Sequence, residues 1–242
     1  MSSEVSITIS FPLGARFIRN PEIVFYNAYI SFLKGLFCIN TEKKCTTCPL
    51  NGECRYFSMT GNDFADYPGI LMKTSYFKKL RYEKNEELEF RLFFIGNTSK
   101  FADSCILFLK EHLNQKLGGQ FFCIKDYAIT SDPEKLLSSE TVRFISPVQS
   151  EEISTLIKQQ LSFYNENYQT HFEQPTISAE NSALKLQKRS GYKIDGKYLT
   201  LDGYIGTIAG TINNVPSFLS EYGTGKNNCI GGGQFETQNI TS

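Results

Sequence analysis

Apolar and polar residues alternate along residues 5–11, Val-Ser-Ile-Thr-Ile-Ser-Phe, the period of a strand with one buried face. Asn20 followed by Pro21 offers an N-cap with proline at the first helical position. Ile23, Tyr26, Ile30, Leu33 and Phe37 then recur at helical spacing. After a cysteine-rich stretch, residues 69–77 and 88–96 read as strands parted by a charged turn region, 78–87. Residues 99–116 predict an amphipathic helix, with Phe101, Cys105, Phe108, Leu109, His112 and Leu113 on one side and Gly118-Gly119 closing it. Residues 120–129 predict another strand. The order is βαββαβ, the split ferredoxin-like unit.

The second half repeats that order. Residues 141–149 are strand-like, and Ser150-Glu-Glu opens a helix reaching about residue 165. A polar connection, 166–182, contains Pro175. Residues 183–189 and 198–212 are candidate strands, 215–222 one short helix and 232–237 a last strand. Gly-Gly-Gln-Phe occurs at 118–121 and again at 232–235, each time before the fourth strand of its half. The fold class expected is α+β: two tandem ferredoxin-like units, residues 1–135 and 136–242, with a cysteine-rich insertion in the first.

Composition narrows this only a little. The 242 residues are 40% hydrophobic and 21% charged, as in an ordinary packed protein. Lys+Arg and Asp+Glu number 25 each, so the net charge of zero argues against a protein that coats any nucleic acid, while allowing a local basic groove. The start lacks the basic and apolar regions of a signal peptide, and the apolar stretch 23–39 is interrupted by Asn27, Ser31 and Lys34. A cytoplasmic protein without a membrane span is expected, its seven cysteines reduced or metal-bound.

The most specific feature is the loop at 223–233, Gly-Thr-Gly-Lys-Asn-Asn-Cys-Ile-Gly-Gly-Gly. Gly223, Gly225, Gly231 and Gly233 permit positive φ and close backbone approach, and Lys226 adds a cation. Such a loop suits a phosphate, although a plain hairpin turn has the same composition. It is not a Walker loop, because no Gly-Lys-Ser/Thr triplet is present, and it precedes a strand, unlike a dinucleotide fingerprint. Upstream, Lys185, Lys188, Arg189, Lys193 and Lys197 fall within 13 residues beside Tyr192 and Tyr198. That strip is either a solvated face or a phosphate-binding surface with stacking rings.

Gly-x-Gly, five residues, Gly-x-Gly at the end of a repeated βαββαβ pattern resembles the C-terminal glycine-rich loop of RAMP proteins, specifically the CRISPR repeat-cleaving endoribonucleases. Residues 190–210, Cys45-Thr-Thr-Cys48-Pro-Leu, Cys54-Arg-Tyr56 and Phe93-Phe-Ile-Gly96 extend the resemblance over most of the chain. It implies a cleft between two ferredoxin-like folds that holds CRISPR repeat RNA, with the glycine loop on the RNA backbone. It also implies cleavage of precursor CRISPR RNA by 2′-hydroxyl attack, leaving a 2′,3′-cyclic phosphate and a 5′-hydroxyl, with no cofactor for catalysis. A proton acceptor, a proton donor and cations serve that chemistry. Many members place a histidine in or just after the first helix; here the two histidines are His112 and His171. Others cut with tyrosine, lysine or arginine, so Tyr26, Tyr29 and Lys34 on the first helix are the analogous candidates, with His171 in the connecting loop. The alternative is a catalytically silent RAMP subunit that holds guide RNA among the other subunits of a CRISPR effector complex.

Cys38, Cys45, Cys48 and Cys54 lie within 17 residues. Four sulfurs at this spacing suit a structural zinc or, with the same donors, an iron–sulfur cluster. Cys38 also continues the apolar stripe of the first helix and suits simple packing. A metal-stapled interaction module outside nucleic-acid biology is the third reading.

Overall fold

In a computed structural model, the structure describes residues 1–40, 44–75, 79–113, 115–132, 135–188 and 191–238. Twelve elements carry the architecture: β1 (Ser2–Phe11), α1 (Pro21–Phe37), β2 (Ile70–Met72), β3 (Glu86–Phe94), α2 (Ala102–Leu107), β4 (Cys123–Asp132), β5 (Leu136–Val148), α3 (Ile153–Tyr168), β6 (Thr176–Gln187), β7 (Gly203–Pro216), α4 (Phe218–Tyr222) and β8 (Phe235–Gln238). They form two four-stranded antiparallel sheets, ordered β2-β3-β1-β4 and β6-β7-β5-β8. The two orders are the same relative to the chain, second-third-first-fourth. Among the described residues no helix is long and apolar enough to cross a membrane.

The alternation in β1 buries Val5, Ile7 and Ile9 completely. α1 starts as its sequence dictates. Asn20 accepts the Glu22 N–H at 2.9 Å, Pro21 occupies the first turn, and Ile23, Phe25, Tyr26, Tyr29, Ile30 and Leu33 face the core. Phe25 stacks on Phe90 of β3 at 4.5 Å, which fixes the helix on its sheet.

Several expectations change. The helix expected at 99–116 is a 3-10 turn at Gly96–Phe101, then α2, then a π turn at Phe108–His112. Ring packing accompanies the wide turn: His112 lies 5.2 Å from Phe32 and 5.6 Å from Phe108. Gly118-Gly119 is not a helix cap; with φ of 55° and 83° it turns the small hairpin between Lys116–Leu117 and Gln120–Phe121. The polar connection expected at 166–182 already enters β6 at Thr176. β6 is an edge strand, open on one side, and so carries little apolar alternation. A hairpin, Tyr192–Ile194 with Lys197–Leu199, precedes β7.

Gly61, Asn62, Asp63 and Phe64 follow one another with φ between 55° and 63°, a left-handed turn in the insertion between α1 and β2. Left-handed backbone costs roughly 1–2 kcal/mol per non-glycine residue and persists where surroundings enforce it. Here the Asp66 N–H closes on the Gly61 carbonyl at 2.8 Å, and Lys197 pairs with the buried Asp63 at 2.6 Å.

Candidate nucleic-acid interface

The outer face of the first sheet, opposite α1 and α2, meets the second half of the chain. Phe93 of β3 stacks on Phe218 of α4 at 4.9 Å, and Tyr222 donates to Glu4 of β1 at 2.5 Å. Beside this contact a cleft of about 810 Å³ opens between β3 and the strands β5, β7 and β8. Lys73, Arg91 and Arg143 line it, with the acids Glu22, Glu89, Glu221 and Glu236. Alternation puts them there: Arg91 lies between buried Phe90 and Leu92, and Arg143 between buried Val142 and Phe144. Glu221 pairs with both Lys73 and, at 3.6 Å, Arg91; Arg91 also holds Glu89 at 3.0 Å. Burial raises the carboxyl pKa of Glu22 despite the Ser75 N–H at 2.6 Å and the polar contact to Asn20.

One of the expected RNA-binding residues shares this face. Lys185 stands opposite Ile205 in the β6–β7 register, and Ile205 lines the cleft. Lys188 and Lys193 are exposed elsewhere, after β6 and on the hairpin, and Arg189 lies outside the described residues. Lys73, Arg91 and Arg143 were missed by the sequence reading, since no run of charge marks them and only folding gathers them.

The glycine loop is not an open cradle. Gly223, Thr224 and Gly225 are buried, as are residues 228–234. Its amides are already bonded: Gly225 to Gln160 Oε1 at 2.9 Å, Lys226 to Gln149 Oε1 at 3.1 Å, Gly231 to the Asn228 carbonyl, and Gly233 to the Pro147 carbonyl at 2.8 Å. Lys226 reaches the other half of the chain, donating to the Ala65 carbonyl at 2.8 Å and pairing with Asp66 at 3.3 Å. Gln234 donates to Thr74 and Glu221 carbonyls at 2.9 and 2.8 Å. The expectation of a loop open to phosphate is therefore corrected: the loop packs between α1 and α3, with Cys229 on Tyr26 and Gly225 on Gln160. Inside it, Asn228 Nδ2 and Gln160 Nε2 both point at the Tyr164 hydroxyl, leaving Asn228 Oδ1 buried without a partner.

The four catalytic candidates are not gathered into one site. Tyr26 is fully buried, donates to the Ile70 carbonyl at 2.8 Å and touches Cys229; burial pushes its pKa well above the usual phenol range. Tyr29 is equally buried against Ser104, and burial raises it likewise. Neither can accept a proton from a substrate. Burial pulls the Lys34 ammonium down, but the hydrogen bond and charge of Asp195 at 2.7 Å outweigh it, so the pKa rises and Lys34 stays charged. Tyr56 donates to the same Asp195 carboxylate at 2.6 Å, and Asn27 accepts the Asp195 N–H at 2.8 Å. His171 is exposed in the loop between α3 and β6.

Among the described residues no group of three or more His, Cys, Asp or Glu side chains is arranged to hold a metal ion. The four-sulfur set expected from the spacing is thus not closed: Cys38, Cys45, Cys48 and Cys54 are free thiols, each half-buried.

Residues 24–143, about half the chain, match the family model AF_1859_N, described as an N-terminal domain. No curated protein sequence matches the chain. Among solved structures, a Cas6 product complex superposes with a TM-score of 0.53 at 12% identity, covering 98% of this chain and 99% of that one. A RAMP protein described as binding different RNA substrates gives 0.52 at 12% identity over 98% and 99%. The product of a Cas6-related gene from Pyrococcus furiosus gives 0.51 at 12% identity over the whole of both chains. The likeness expected from the glycine loop and the repeated element order is present at the level of architecture, and the chain has the fold of the Cas6 group of RAMP proteins.

Proposed function

We propose that this protein binds CRISPR repeat RNA across the cleft between its two sheets and cleaves precursor CRISPR RNA within the repeat. The two halves, residues 1–135 and 136–242, are in this reading tandem ferredoxin-like units. The observation that carries the proposal is the cleft itself: Lys73, Arg91 and Arg143 gathered on facing sheet surfaces of a chain with this fold. Guanidinium and ammonium groups on sheet faces neutralise phosphates, and an incoming backbone would compete with Glu221 for Lys73 and Arg91.

Cleavage would proceed without metal, the 2′-hydroxyl attacking the adjacent phosphate and leaving a 2′,3′-cyclic phosphate and a 5′-hydroxyl. Of the four candidates, His171 alone combines exposure with an imidazole, the side chain most often used for general acid–base work. Lys34 would serve as a cation only after release from Asp195. A second reading, a guide-RNA-holding subunit of a cytoplasmic effector complex without cleavage, is favoured by the burial of Tyr26 and Tyr29.

Labelled repeat RNA incubated with the protein in EDTA separates these. A single cut with a cyclic phosphate end, lost in His171→Ala, supports cleavage by the proposed route. Tight binding without any cut favours the second reading, and no binding to repeat RNA overturns both.

A further inference from the structure

We propose that Cys38, Cys45, Cys48 and Cys54 form a four-thiolate metal centre of the zinc type that closes the insertion between α1 and β2. It stands independently of whether the chain binds RNA.

Three turns carry the four cysteines. Cys38 follows the last turn of α1, its N–H bonded to the Lys34 carbonyl at 2.8 Å. Cys45 and Cys48 bracket a single 3-10 turn, the Cys48 N–H on the Cys45 carbonyl at 3.2 Å. A second such turn ends at Cys54, whose N–H meets the Asn51 carbonyl at 3.2 Å. Cys38, Cys48 and Cys54 line one cavity of about 350 Å³ with Leu36, Leu50 and Arg55. Cys45 lies within electrostatic reach of both Cys38 and Cys54. Cys38, Cys48 and Cys54 border the cavity without converging on one point, and binding of one ion would draw the four thiols together.

Among its described residues this segment holds little regular structure. Between residues 38 and 54 the regular structure described is two three-residue turns. Around the cavity Leu36, Ile39 and Leu50 are 52%, 86% and 42% exposed, so apolar burial contributes little. Yet the same insertion presents Tyr56 to Asp195, Asp63 to Lys197, and the Ala65 carbonyl to Lys226. Contacts of that precision need a fixed base. Four sulfurs around one ion supply it: zinc takes tetrahedral thiolates at about 2.3 Å, and structural zinc contributes folding energy directly. Loading converts four thiols to thiolates and releases their protons to solvent. An iron–sulfur cluster would use the same donors.

The test uses the full chain purified without oxygen or chelator. Metal analysis should give about one zinc per chain, or iron with matching inorganic sulfide if the centre is a cluster. Cobalt(II) added to metal-stripped protein should produce thiolate-to-cobalt absorption bands, absent in Cys48→Ser and in Cys54→Ser but kept in Cys123→Ser. Should the serine variants fail to fold, chelation of the wild type gives a second readout: thiols slow towards a disulfide reagent should become reactive as metal leaves. Metal-free anaerobic protein that also gives no cobalt–thiolate bands would overturn the proposal, as would unchanged bands in Cys48→Ser.

Discussion

Gly233 adopts φ of 71°, and a Cβ built there would stand 1.9 Å from the Thr224 carbonyl oxygen. Alanine at 233 should therefore unfold the joint between loop and sheet, at a cost of at least about 2 kcal/mol in urea titration. Gly196, at φ of 85° with nothing within 4 Å of such a Cβ, carries the strain without the clash, and Gly196→Ala should cost only about 1 kcal/mol. Equal costs would mean that the loop relaxes freely. Cys229, fully buried beneath Tyr26, makes a second residue-scale prediction. Burial pushes its thiol up to about 12, whereas an unfolded thiol titrates near 8.5. The folded state keeps the proton longer, so stability is full below pH ~8.5 and falls as pH rises towards 12. The slope is at most about 1.4 kcal/mol per pH unit for this group. Cys229→Ala should flatten the alkaline limb of a stability–pH curve, and an unchanged limb would assign it to other groups. At this scale the sequence showed where glycines cluster. It could not show that Gln149, Gln160 and Pro147 would occupy the loop's amides, because those partners lie far along the chain.

The hairpin Tyr192–Ile194 with Lys197–Leu199 is one element that ties the second half to α1. Asp195 at its tip accepts from Lys34 and Tyr56, and Lys197 reaches Asp63 in the left-handed turn. Removing one partner of a mostly buried pair leaves the other unpaired, so Asp195→Ala should cost about 2–3 kcal/mol. Lys34→Met combined with it should recover part of that loss. Strict additivity in this double-mutant cycle would show that the pair contributes nothing. Strongly periodic elements were legible: β1 by its alternation, and α1 by its stripe, Asn20 cap and Pro21. The hairpin was not, since its lysines read as a basic strip, and the pairing of Lys197 depends on Asp63, far back in the chain. The second helix was over-read for a related reason: the apolar side at 101–113 is real, but 3-10 and π turns at its ends also satisfy it.

Two four-stranded sheets of like order, joined by a buried glycine loop and a salt-linked hairpin, leave one broad cleft between strand faces. The like strand order of the two halves was readable from element order, and Gly-Gly-Gln-Phe recurs at 118–121 and 232–235, the second copy running into the last strand at Phe235. The cleft's cations were not, because Lys73, Arg91 and Arg143 sit singly on three segments. The most direct measurement is the affinity of labelled repeat RNA for wild type, Arg91→Ala and Arg143→Ala over a series of salt concentrations. Each variant should bind more weakly, with the slope of log affinity against log salt reduced by about one, as loss of one phosphate contact requires. Wild-type affinity and slope in both variants would contradict an RNA site in the cleft.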